Sequence, residues 1–290
     1  IHAASVLLFW YCSLQPTARM KLPLPGLALA VIVVASPARL AARHLRPSHR
    51  QGAASVGDGN VCKCLDWQDA YRRPGVTCGR GPELHVVTKG FKPLWLARKM
   101  AGEEFCARFF QRLTGRFCVN VDQNNAPGKW FGGQWCYVSS ECHNLGGGRH
   151  VQESNTSWKV CTEGTDEVLR TKTPQELDHL RVRLDLDLGL LAKFAYPVWQ
   201  GEAWPDVQKF FGWRNATVLL GQLERSGRKD LRRLVASERP MLMDSRDGHP
   251  PFYIVEGPRI LRISFKPSSM KNFVAGHMSE VNELICVQGC

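Results

Sequence analysis

The chain reads as an α+β protein, and three observations predict that class. Eight Cys crowd between positions 62 and 161, among short strand-like runs and one helical pattern. Leucines at helical spacing then fill residues 177–191. Two β-branched runs at 252–255 and 260–265, separated by Glu-Gly-Pro-Arg, read as a hairpin. The expected architecture is a disulfide-stapled N-terminal half with short strands and one helix. A mainly helical C-terminal half with a β-hairpin follows it. The 290 residues divide into a leader (1–57), a Cys-rich domain (58–161) and a helical or α+β domain (162–290).

The leader carries Arg19, Lys21, Arg39, Arg43, Arg46 and Arg50 and no acid, so half of the formal charge of +12 lies outside the folded body. The body is only mildly basic, which argues against a nucleic-acid surface. Met20-Lys21 precedes the apolar run 27–35, with small residues at Ala35 and Ser36. A basic start, a short apolar stretch and a small-residue end are the parts of a secretory signal. A bilayer-spanning helix needs about 20 apolar residues. Residues 1–19 precede the expected initiator, and Cys12 goes with them. Residues 37–55 are rich in Arg, Ala and Ser and free of acids, the composition of a transit segment or of a basic linker.

In the Cys-rich region, Cys62, Cys64, Cys78, Cys106, Cys118, Cys136, Cys142 and Cys161 are expected to be oxidised, as are Cys286 and Cys290 at the end of the chain. Their spacing does not supply the two short Cys pairs of a structural zinc site. Cys62 and Cys64 are too close in sequence to bond each other without strain, so each is expected to find a different partner. Residues 102–113 show a helical apolar face, with Glu103 and Glu104 in the first turn and Gly115 as the stop. Residues 122–128 are turn-forming, and 130–138 read as an aromatic strand.

In the second half, Thr173-Pro-Gln-Glu176 is a capping box with Pro at the first helical position. The leucine seam predicts one helix of about five turns from there to Tyr196-Pro197, although residues 181–188 also alternate with period two. Trp199, Trp204, Phe210, Phe211 and Trp213 surround a short helix opened by Pro205. They form either a satellite core or a docking patch. Residues 228–236 read as a short helix and 268–285 as a terminal one.

Catalytic patterns are thin. Asp244-Ser-Arg-Asp-Gly-His249 gathers a hydroxyl, two carboxylates and an imidazole, but Gly248 and Pro250-Pro251 mark an exposed turn. His143-Asn-Leu-Gly-Gly-Gly148 has no Gly-x-Ser-x-Gly elbow to accompany it. Phosphate-loop, dinucleotide, His-Glu-x-x-His and EF-hand patterns are not found. Asn155-Thr-Ser157 and Asn215-Ala-Thr217 are glycosylation sequons.

The Trp135-Cys-Tyr-Val138 string is similar to the Trp-Cys-Tyr of kringle and related extracellular modules, over about ten residues. Together with the Cys62-Lys-Cys-Leu-Asp-Trp67 start and Trp158-Lys-Val-Cys161, it resembles Cys-rich, nuclear-encoded lumenal proteins of algae with complex plastids. That resemblance implies a location more than an activity. With the signal-like run and its transit-like follower, the address is the thylakoid lumen, where a non-catalytic interaction subunit peripheral to the membrane is expected. It would be an accessory to a photosynthetic complex such as photosystem I. Its partners would be protein subunits of that complex, with no nucleic acid, no metal and no cofactor beyond peripheral pigment contact. Trp130, Trp199, Trp204 and Trp213 are the expected docking residues. The alternatives are a secreted glycan-binding module using the 130–137 strand and a hydrolase of unrecognised family.

Overall fold

A computed structural model describes residues 61–85, 95–96, 99, 102–122, 130, 132–199, 233, 236–245 and 248–290. The leader and the aromatic segment at 200–232, including the short helix expected at Pro205 and most of the one expected at 228–236, lie outside the described residues. Residues from Asp58 to Cys290 group into one compact unit. Both α-helices and antiparallel sheets are present, so the fold is α+β.

The chain enters through helix α1 (Trp67–Arg72), whose Asp66 cap accepts from the backbone N–H groups of Gln68 and Asp69. A single turn at Pro82–Leu84 and a π-helix at Gly102–Phe110 follow. The π-helix buries Cys106, Phe109 and Phe110 on one face, the face expected from the sequence. Strands β1 (Val119–Asn120), β2 (Gln134–Ser139), β3 (Arg149–His150) and β4 (Thr156–Val160) make an antiparallel sheet in the order β1-β2-β4-β3. The aromatic strand therefore begins at Gln134, four residues later than the pattern suggested, because Gly133 closes a turn back to the Trp130 carbonyl.

The expected five-turn helix is two helices, α2 (Pro174–Leu184) and α3 (Leu188–Ala195). Thr173 and Glu176 form the capping box of α2 as the sequence indicates. The break falls on Asp185-Leu186-Asp187. Asp185 takes a left-handed conformation (φ 50°) and ends α2, while the Asp187 side chain accepts from Leu190 N–H and starts α3. The carboxylate of Asp185 also accepts from the Ser279 backbone and hydroxyl at 2.9 Å and pairs with Arg112 at 2.6 Å. Local capping and tertiary partners thus override a helical leucine pattern, at the stretch where the period-two alternation conflicted with it.

Strands β5 (Val198–Trp199), β6 (Met241–Met243), β7 (Phe252–Glu256), β8 (Arg259–Phe265) and β9 (Asn282–Gln288) form the second sheet in sequence order. Only β5 and β6 are parallel among these neighbours. The expected hairpin is β7–β8. The terminal helix is instead a short α4 (Ser269–Ala275), a turn at Met278–Glu280 and strand β9. Gly276, at φ 81°, stops α4, and the chain then pairs with the free edge of β8.

One buried cluster joins residues on both sides of position 161. Trp67, Phe110, Trp135 and Tyr137 share it with Leu177, Phe194 and Ile263. Two buried side-chain amides fasten the first sheet to α3. Asn120 Nδ2 donates to the carbonyls of Lys193 and Tyr196, and Gln134 Nε2 donates to that of Ala195 and to Asn120 Oδ1. They satisfy carbonyls that the end of a helix leaves open. Among the described residues, no helix is long and apolar enough to cross a membrane.

Candidate functional site

The first sheet gathers the cysteines. Cys136 lies in the middle of β2, Cys118 just precedes β1, Cys161 just follows β4, and Cys64 stands at the entrance to α1. The Cys118 N–H donates to the Glu167 carbonyl, and its own carbonyl accepts from Leu169 N–H, which fixes that backbone. Sulfurs meet at bonding distance in the pairs Cys62–Cys142, Cys64–Cys136, Cys78–Cys106 and Cys118–Cys161, and Cys286 is paired with Cys290 at the end of the chain. Cys62 and Cys64 thus reach two different elements. The protein is disulfide-rich, as the Cys count suggested.

Two of those pairs touch. Cys64 Sγ lies 3.6 Å from Cys118 Sγ and 4.0 Å from Cys161 Sγ, and the four sulfurs of Cys64, Cys118, Cys136 and Cys161 are all within 4.8 Å of one another. Cys118 and Cys136 are fully buried. The Lys159–Asp166 ion pair borders the centre, with Nζ 2.7 and 2.9 Å from the carboxylate oxygens. Asp166 Oδ1 is 3.6 Å from Cys64 Sγ.

The aromatic residues fall differently from expectation. Trp130 precedes the strand and is half-buried, its ring centroid 5.7 Å from that of Trp158 in an edge contact, so it packs on the core. Trp135 and Tyr137, the other rings of the 130–137 segment, are 0% and 1% exposed. Alternation along β2 cannot turn them outward, because both faces of this strand are covered. Trp199 ends β5, and its side chain lies outside the described residues, as do Trp204 and Trp213.

Beside Tyr137 sits a buried carboxyl. Glu83, 2% exposed, accepts from the hydroxyls of Tyr71 at 3.0 Å and Tyr137 at 2.5 Å. Burial raises its pKa against the opposing pull of those hydrogen bonds, and burial likewise raises the pKa of both phenols. Buried beside two phenols, this carboxyl keeps its proton more readily than an exposed glutamate.

The 244–249 segment is bound to α3. Lys193 pairs with Asp244 at 3.1 Å and donates to the Gly248 carbonyl at 2.9 Å, while Ser245 Oγ donates to the His249 carbonyl at 2.6 Å. Asp247 lies outside the described residues. Nearby, Glu104 is pushed up to about 7, by burial first and then by the charge of Asp187. Burial also raises Asp187. Lys193 and the Ser245 hydroxyl hold the turn in place.

Sequence reading missed the exposed apolar residues of α4. This helix buries none of its residues, and Met270 (52% exposed) and Val274 (69%) stand one turn apart on it. Phe265, at the end of β8, is also exposed. Arg108 covers the Phe273 ring at 3.5 Å, and Arg112 donates to the Gly276 carbonyl, so polar contacts hold α4 to the body while its apolar ridge faces outward. The i, i+4 pair ahead of Gly276 is visible in the sequence, inside the stretch 268–285 expected to be one terminal helix.

No family model, no curated protein and no solved structure matches this chain.

Proposed function

We propose that the chain is a non-catalytic docking subunit of an oxidising lumen, an accessory of a photosynthetic membrane complex such as photosystem I. The observation that carries the docking reading is α4, a helix tied down by arginines that leaves Met270 and Val274 in solvent. Apolar residues held outward on a fixed element mark interaction surfaces. The long-range Cys pairs support an oxidising compartment. The basic leader, with its signal-like run and transit-like follower, supports the plastid address. On this reading the body is disulfide-stapled, takes no cofactor of its own, and meets pigment only peripherally. Its partners are protein subunits.

The docking reading is supported over a secreted glycan-binding module by the burial of Trp135 and Tyr137 and by the packing of half-buried Trp130 on Trp158. Residues 1–57 fused to a fluorescent protein should direct it to the plastid of an alga with a complex plastid. In isolated thylakoids the full chain should resist added protease until the membrane is opened. Recovery of the fusion or of the chain in the culture medium would overturn the address and favour a secreted protein.

A further inference from the structure

We propose that Cys64, Cys118, Cys136 and Cys161 form a two-state sulfur centre: two disulfides when oxidised, and a four-thiolate zinc site when reduced. This inference does not rest on the docking reading. The Cys spacing speaks against zinc only where the ligands arrive as close sequence pairs. In the fold they arrive singly from four places, the α1 entrance, the start of β1, the middle of β2 and the end of β4. Such a set leaves no short-spacing signature.

The dimensions fit. Zinc–thiolate bonds of about 2.3 Å in a tetrahedron place neighbouring sulfurs roughly 3.8 Å apart. The contacts between the two disulfides, 3.6 Å from Cys64 to Cys118 and 4.0 Å from Cys64 to Cys161, already bracket that edge. Once the two bonds open, the bonded pairs need only part to the same spacing. Three of the four ligands, Cys64, Cys118 and Cys136, are no more than 5% exposed and Cys161 is half-buried, which suits a structural zinc site with no open position. Lys159 neutralises the Asp166 carboxylate that borders it, so that carboxylate does not stand as an unpaired negative charge against a thiolate cluster.

The conversion balances. Two equivalents of a dithiol reductant give four protein thiols and leave as two disulfides. One zinc ion then displaces the four thiol protons and binds four sulfurs. Reoxidation by a disulfide reverses both steps and releases the metal. The remaining pairs have no such neighbour: among the described residues this is the one group of three or more His, Cys, Asp or Glu ligand atoms that could hold a metal ion.

The test uses the full chain. It is reduced without oxygen by a water-soluble phosphine, each phosphine leaving as its oxide with oxygen from water. Zinc is added, the protein is desalted, and metal per chain is measured alongside iodoacetamide labelling read by peptide mass spectrometry. One zinc should be retained, with Cys64, Cys118, Cys136 and Cys161 protected and Cys62, Cys78, Cys106 and Cys142 labelled. Reoxidation should release all of it, and cobalt in place of zinc should show the charge-transfer bands of a tetrahedral tetrathiolate. The Cys62→Ser/Cys142→Ser variant should retain zinc as the unchanged chain does, and Cys64→Ser/Cys136→Ser should lose it. Absence of retained metal in the reduced unsubstituted chain overturns the proposal, as does protection centred on the other cysteines; neither result depends on a variant folding.

Discussion

Removing the Cys78–Cys106 link by a double change to Ala should destabilise the protein by about 3.5 kcal/mol. This pair is the cleanest one to cut. It packs with Leu84 and Phe105 at the edge of the main core, in a different cluster from the touching disulfides. Its partners are 28 residues apart. The loop-closure relation gives roughly 3.5 kcal/mol of unfolded-chain restriction for a loop of that length, and about 2 kcal/mol for the four-residue Cys286–Cys290 link. Ala is chosen over Ser because Cys106 is 7% exposed and a hydroxyl there would need a partner. Urea unfolding without reductant is the assay. The midpoint should fall and the slope should rise, because the unlinked chain exposes more surface when unfolded. A loss below about 1 kcal/mol, or one no larger than that of the tail pair, would refute the assignment of the constraint to the unfolded state.

Two further predictions rest on the core. Glu83 has a folded pKa raised by burial, so its contribution to stability is fully present below the ordinary carboxylate range and is lost as pH rises through the folded value. The thermal midpoint should therefore decline with rising pH by more in the parent chain than in Glu83→Gln, measured between about pH 4 and pH 9; parallel curves would show that Glu83 does not carry this dependence. Trp67, 1% exposed, donates from Nε1 to the Phe117 carbonyl at 2.8 Å and meets Trp135 edge-on at 5.0 Å. Trp67→Ala should cost about 3–5 kcal/mol in denaturant unfolding. Trp67→Phe should cost less, since it keeps much of the packing and loses the hydrogen bond, and equal losses would contradict the packing account.

The elements legible in the sequence were those written in local chemistry. Thr173 and Glu176 cap α2 as their spacing requires, and Gly257-Pro258 turns the β7–β8 hairpin between β-branched runs. What escaped depends on contacts distant in sequence. Asp185 breaks a helix because Arg112 and Ser279 meet it there. Asn282 opens a strand because the β8 edge is available, and Asn282 Nδ2 donates to Asp187 at 2.7 Å. The same holds for the candidate sites. That the cysteines would be oxidised was readable from their number, but that four of them share one centre was not, since β1, β2 and β4 bring them together. Trp130 looked like a docking residue beside a strand, and Trp158, 28 positions later in the sequence, turns it into packing.

The docking claim meets its most direct test in the amount of chain that migrates with its complex. Full-length protein and the Met270→Asp/Val274→Asp variant would be expressed in the plastid, the thylakoids solubilised in mild detergent, and the complexes separated by native electrophoresis. Because both side chains are exposed, the variant should keep the parent thermal midpoint. Loss of anchors worth about 2 kcal/mol or more should cut association roughly thirtyfold, while Lys271→Ala on the same helix should leave it nearly unchanged. The account predicts parent protein in the photosystem I band and variant protein in the free fraction. Variant protein that still co-migrates to the parent extent would contradict it.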